Sequence, residues 1–432
     1  MITRLHNFVI RLRSALWFRP TIASIGAAAL ALILAGTDRL LPEFIAIPEV
    51  DDGSVKELLK LLASAMLTVT TVTLSALLLV FNMAASQASP RALPGLMADE
   101  VTQNALSTFI ATFVFAMAGM LGLALEAYDK SGLSLLFGCG LLLTVQALRY
   151  LVQWMHHIAG TLRLGNIVAR VHTDTQDSLA RFLADPYLGA HPVEGKREAE
   201  NGTATLATTR SAYLCGIDTD GLQEIAARNG LTIELMCRPG DFLHRDRPAM
   251  AIHIGEERLD DGLREKLLGC FLLGEERSYH QDPLLGIQIL GEVASRALSP
   301  GINDPKTAII CLDRLEALLS QAAQPPQQED VPRHDRLSLP ALTFQTMLDR
   351  AMHSIARDGA TDIEVVLRQI AALERIAMAA DTAQIQPILM DMLNLTIGYA
   401  EDALPLKQDR EVLEQAAMRA RRRLSGSLAS AG

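Results

Sequence analysis

The stretch Leu61-Leu-Ala-Ser-Ala-Met-Leu-Thr-Val-Thr-Thr-Val-Thr-Leu-Ser-Ala-Leu-Leu-Leu-Val-Phe-Asn82 decides what kind of protein this is. It is apolar enough to cross a bilayer, yet it carries Ser64, Thr68, Thr71, Ser75 and Asn82 at steps of three and four, with Leu78 interrupting. The series runs on through Ser86 and Ser89. On a helix this spacing collects the polar groups on one face. Hydroxyls and amides find no partner among lipid tails, so the face is expected to look toward protein or water. A pore lining and a helix-packing seam both satisfy that requirement.

Outward from this span, the 432-residue chain is 50% hydrophobic, and the excess lies before His156. Four windows suit a hydrocarbon core of about 30 Å: roughly Thr21–Leu41, Leu59–Met83, Ala105–Ala127 and Leu133–Met155. Arg4, Arg11, Arg13 and Arg19 precede the first window, while the next connection carries Asp38, Glu43, Glu49, Asp51, Asp52 and Glu57. Arg91 lies between the second and third windows, Glu126 and Asp129 between the third and fourth, and Arg149, Arg163 and Arg170 in and after the fourth. The positive-inside rule therefore predicts both termini in the cytoplasm of a multi-pass protein of the bacterial inner membrane. The first window reads as an uncleaved anchor, because its leader is long and three more spans follow.

The expected fold is membrane α-helical with four transmembrane helices, followed by a cytoplasmic α+β region with a small β-rich module and a helical C-terminal bundle. In residues, this is a four-span domain at 1–158 and a juxtamembrane helix at 159–190, whose apolar stripe includes Leu164, Ile167, Val168, Val171 and Leu179. A β-rich module follows at 203–256, with strands around 211–218, 231–237 and 250–254. It is similar to barrel-sandwich modules of the biotinyl/lipoyl type, but has no lysine flanked by methionines to carry such a group. Helices return at 260–320, a Gln- and Pro-rich linker is expected at 321–340, and a bundle fills 341–425. Its four helices are expected at 342–357, 362–380, 384–401 and 410–423.

The net charge of −10 argues against a nucleic-acid partner. Arg419, Arg421, Arg422 and Arg423 are the exception, and they read as a solvated helix end. The cysteines Cys139, Cys215, Cys237, Cys270 and Cys311 form no CxxC pair and read as reduced structural thiols. There is no GxxxxGK[ST] loop, GxSxG elbow or HExxH pair, and the histidines are scattered apart from His156-His157. No enzyme, cofactor or metal centre is expected.

One further run stands out: Arg277-Ser-Tyr-His-Gln-Asp-Pro, a mainly apolar stretch, then Arg296-Ala-Leu-Ser-Pro-Gly-Ile-Asn-Asp-Pro-Lys-Thr-Ala. It resembles a bacterial family of membrane proteins known only as domain of unknown function 2254, whose most specific signature is the run from Ala297 to Pro305. The stretch Ala85-Ser-Gln-Ala-Ser-Pro-Arg91 is similar to the family's SSQFSPR run, with Ala88 where an aromatic is usual. The resemblance covers the chain to about Leu319 and implies four spans and a cytoplasmic domain, but no activity. Physically, Asp282-Pro283 and Asp304-Pro305 suit helix starts, and Pro300-Gly301 suits a helix stop. The run then reads as a specified helix–turn–helix. The competing reading makes Arg277, Asp282, Ser299, Asn303 and Asp304 a polar pocket for an ion or anionic ligand.

Two functions follow. In the first, copies of the chain assemble into an ion channel or transporter, with Ser64, Thr68, Thr71, Ser75, Asn82 and Ser86 along the path. Gln87, Ser89 and Arg91 form its inner mouth, and the cytoplasmic part gates it. In the second, the spans anchor and oligomerise a cytoplasmic sensor or scaffold, and the stripe is a packing seam. The implied partners are the lipid bilayer, further copies of the chain and, in the first reading, a small ion.

Overall fold

The computed structural model describes residues 17–35, 50–87, 100–161, 164–193, 203–253, 259–324, 332–380 and 384–426. The chain divides into two compact units, Met1–Asn166 and Ile167–Gly432.

The first unit is helical: α1 (Phe18–Leu34), α2 (Asp52–Gln87), α3 (Glu100–Ala124) and α4 (Lys130–Thr161). Three stretches, Asp52–Asn82, Glu100–Ala124 and Lys130–Ile158, are long and apolar enough to cross a membrane. Helix α1 is apolar but has only 17 residues. At 1.5 Å per residue it reaches about 25 Å, short of a full hydrocarbon core. Three helices therefore meet the criterion where four spans are expected; residues 36–41 of the first window lie outside the described residues. The unit packs around α3, which contacts each of the other three helices. Small residues set the approach: a Cβ on Gly119 would lie 3.1 Å from a Leu59 methyl, and one on Gly122 would lie 2.5 Å from the Tyr128 ring. The Tyr128 hydroxyl donates to the Ala31 carbonyl (2.8 Å), and Arg19 reaches Asn104 (3.0 Å) and Glu100 (2.7 Å).

The second unit begins within α5 (Leu164–Ala184), whose Ile167, Val168, Val171 and Leu179 are buried as the stripe predicts. Two sheets follow. The larger has β1 (His191–Pro192), β2 (Thr203–Ala207), β4 (Thr232–Leu235), β6 (Pro248–His253) and β8 (Leu337–Leu339), in the order β1-β8-β4-β6-β2. The smaller places β3 (Ala212–Ile217) between β5 (Phe242–Leu243) and β7 (Phe271–Gly274). Helix α6 (Thr219–Arg228), capped by Asp218, and helix α7 (Asp261–Leu268), capped by Asp260, complete this part. The core is Leu214, Ile217, Leu222, Ile233, Met250 and Ile252 with their neighbours.

Strand β8 corrects the expected linker at 321–340. It pairs in parallel with both β4 and β1, and Leu337 and Leu339 are buried while Ser338 between them is half-buried. Three residues are too few to show a period, so the alternation is invisible without its partners. The parallel insertion also makes the sheet mixed, which departs from the barrel-sandwich likeness.

The remaining helices are α8 (Leu284–Ala297), α9 (Pro305–Ala322), α10 (Phe344–Asp358), α11 (Ile363–Ala379), α12 (Ile385–Ala403) and α13 (Lys407–Gly426). The last four fall within a few residues of their expected bounds. Contacts of α8 with α10 and of α9 with α11 join the segments expected at 260–320 and 341–425 into one helical assembly. The arginine cluster stays solvent-exposed, as a solvated helix end should, but Arg419 and Arg423 also pair with buried Glu374 on α11, and Arg421 donates to Asn394 (3.1 Å).

Candidate functional site

On α2 the side packed within the unit is Val55, Leu59, Leu62, Ala63, Met66, Thr73, Leu77 and Val80. Ser64, Thr68, Thr71, Ser75 and Asn82 are all exposed on the other side. The stripe therefore takes no part in packing α2 against its own chain. It shares that outward surface with exposed Leu67, Val72, Leu78 and Leu79. Ser86 and Gln87 close the helix, and Ser89 and Arg91 lie outside the described residues.

The hydroxyls are not short of partners. Thr68 donates to the Ser64 carbonyl, Thr71 to Leu67 and Ser75 to Thr71, each at 2.9 Å and four residues back. This back-bonding satisfies the donor inside the helix and leaves only acceptor lone pairs facing outward. For these three residues it removes the argument that lipid is excluded for want of a partner. The polar groups buried among helices lie elsewhere, chiefly on central α3: Thr102, Gln103, Ser107 and Thr112. Their wider spacing gives no stripe in the sequence, and only packing reveals them.

The polar turn divides into two places. Arg277 and Asp282 form a buried bidentate ion pair, Nε to Oδ2 at 2.7 Å and Nη2 to Oδ1 at 2.9 Å, with Asp282 2% exposed. Oδ1 also accepts the Leu285 amide (3.2 Å), so the aspartate starts α8. Burial pushes the Asp282 carboxyl above the ordinary carboxylate range, against the downward pull of the Arg277 hydrogen bonds and charge. The turn Arg238-Pro-Gly-Asp closes over it. Gly240 has φ +102°, and a Cβ there would stand 2.5 Å from Asp282 Oδ2. Arg238 itself is half-buried, donates to the carbonyls of Pro340 and Pro186, and lies over the Phe182 ring at 5.7 Å. Burial brings its guanidinium down to about 10, the nearby Tyr187, Asp241 and Asp282 opposing.

Ser299, Asn303 and Asp304 occupy the opposite end of α8. Its 14 residues put about 20 Å between the two places. Ser299 donates to the Arg296 carbonyl (2.6 Å), Asn303 takes a left-handed φ of 50°, and Asp304 caps α9 through the Thr307 amide and hydroxyl. A single pocket from all five residues is thus not formed. The helix–turn–helix reading accounts for their contacts.

A second line of polar groups leaves the ion pair. Arg277 Nη1 donates to Gln288 Oε1 (2.8 Å), and Gln288 Nε2 donates to Glu292 Oε1 (3.0 Å). Gln288 and Glu292 interrupt a mainly apolar stretch four residues apart, the one signal of this line that the sequence carries. Among the described residues no group of three or more His, Cys, Asp or Glu side chains is placed to hold a metal.

A family model described as "Predicted membrane protein (DUF2254)" matches residues 13–375. The chain is also similar to an uncharacterized protein of Mycobacterium bovis and to one of Mycobacterium tuberculosis. Each is 24% identical over 437 residues, spanning 97% of this chain and 82% of the relative. No solved structure matches.

Proposed function

The chain belongs to the predicted membrane proteins of the DUF2254 family, and for it we propose, from the polar face of α2, an oligomeric channel or transporter of the bacterial inner membrane. In this reading four spans, α1 among them, put both termini and the second unit in the cytoplasm, where that unit regulates the path. Copies of the chain associate so that the stripe of α2 lines a route for a small ion. The observation that carries it is the outward exposure of Ser64, Thr68, Thr71, Ser75 and Asn82, opposite the face that packs α2. Back-bonded hydroxyls turn lone pairs to the route, which suits a monovalent cation better than an anion. The reading includes no enzymatic step.

The test is flux of potassium and chloride through liposomes holding the purified chain. Parent protein should pass potassium, and the double replacement Thr71→Leu with Ser75→Leu should abolish it. Absence of flux in the parent, or unchanged flux in the variant, sinks the proposal.

The same back-bonding favours a second reading, a membrane-anchored cytoplasmic sensor or scaffold. A face with satisfied donors can lie against lipid or a neighbouring copy without water. Under it the double variant weakens the oligomer in detergent and there is no flux to lose.

A further inference from the structure

Helices α8 and α10 cross closely because position 291 is glycine: a Cβ there would lie 2.9 Å from the Arg350 carbonyl oxygen and 3.0 Å from that of Ala351. Beside the crossing runs a groove of ≈ 570 Å³, within the range of small-molecule sites. Gln288 and Glu292 line it from α8. Thr346, Asp349, Arg350, His353, Ser354 and Arg357 line it from α10.

Three features separate this groove from an ordinary crevice between helices. The Glu292 carboxylate is held by a chain of hydrogen bonds through Gln288 and Arg277 to buried Asp282, so it is oriented from the core of the unit. On the facing helix, Arg350, His353 and Arg357 recur at steps of three and four and share one side. Arg357 is engaged by Asp358, which Ser295 also holds, whereas Arg350 makes no ion pair among the described residues. The lining holds two carboxylates and two guanidiniums. A simple anion or cation would meet a like charge in such a groove, and a molecule carrying both signs would not.

We propose that this groove binds a small zwitterion of the amino-acid or dipeptide class, its ammonium on Glu292 and its carboxylate on Arg350. The site acts on the second unit alone and holds whether or not α2 conducts.

The experiment is calorimetric titration of the full chain in detergent with the twenty common L-amino acids and glycylglycine. Inorganic phosphate, acetate and ethylamine serve as single-charge controls. At least one zwitterion should saturate with Kd of about 1 mM or tighter. Its N-acetyl and amide forms should each bind at least about tenfold more weakly. Glu292→Gln and Arg350→Gln should each weaken it by a similar factor. Both variants are expected to fold: glutamine still accepts from Gln288, and Arg350 is exposed. No saturation by any zwitterion, equal binding of phosphate, acetate or ethylamine, or unaltered binding in both variants would each overturn the assignment.

Discussion

Replacing Arg277 by alanine should be among the most damaging single changes in the second unit. The guanidinium donates to both oxygens of Asp282, at 2.7 and 2.9 Å, and to Gln288 at 2.8 Å. Asp282 is 2% exposed and lies under the Gly240 turn, so water cannot readily replace the lost partner. Breaking a buried pair in this way costs about 3–5 kcal/mol, mostly from the charge left behind. For a domain of this size that lowers the thermal midpoint by about 10 °C.

The loss should depend on pH in a particular sense. Burial already raises the folded-state pKa of Asp282, and removing Arg277 removes the largest influences that oppose the rise, leaving only the backbone amides of Leu284 and Leu285. An acid whose folded pKa lies above its unfolded value takes up a proton more readily in the folded state. Its ionisation therefore costs stability above the folded pKa, and the cost is relieved as pH falls toward the unfolded value near 3.9. The deficit of Arg277→Ala should shrink between about pH 7.5 and pH 5. Adding Asp282→Ala should recover part of it, since the orphaned carboxylate is then gone. Thermal unfolding of the full chain in detergent, followed by circular dichroism at both pH values, measures the parent and both variants. A midpoint within about 2 °C of the parent at neutral pH, or a deficit that grows on acidification, would refute this account.

Gly286→Ala should cost at least about 1–3 kcal/mol by the same assay, because its Cβ would fall 1.6 Å from Thr175 Oγ1 at the contact of α5 with α8; a neutral effect would mean that the helices part easily. On α2, Thr68→Ala should stay within about 0.5 kcal/mol of the parent in a monomeric preparation, since its hydroxyl serves only its own helix. A larger shift there would reveal packing that the isolated chain does not need. Cys237 and Cys311, whose thiols burial pushes up to about 12, should react with maleimide only on unfolding. Reaction of either at the rate of half-exposed Cys270 in the folded protein would contradict their burial.

What the sequence disclosed follows the range of the interactions concerned. The last four helices were legible because Asp362 before Ile363 and the spaced apolar residues of each segment act within a few turns. Asp304 was legible as a cap for the same reason. The direction in which the α2 stripe faces was not, because burial depends on which helix occupies the centre, and that place belongs to α3. Back-bonding of Thr68, Thr71 and Ser75 is a choice of rotamer, which composition does not record. The five residues of the expected polar pocket share a motif, yet a whole helix holds them apart. The groove of Glu292 and Arg350 joins residues far apart in sequence, and only the crossing at Gly291 makes them neighbours.

Strand β8 has a consequence for the order in which the chain is made. It lies between β1 and β4, so Leu337–Leu339 must leave the ribosome before the larger sheet can close. Until then β4 presents an unpaired edge, although the sequence that forms it emerged about a hundred residues earlier. Helix α9 is synthesised within that interval, and its Asp304 cap and local contacts allow it to form without the sheet. The nascent second unit is thus most vulnerable to edge-to-edge association until residues 337–339 have emerged from the ribosome. A ribosome stalled just short of that point should hold a chain with its helices begun and its sheet still open.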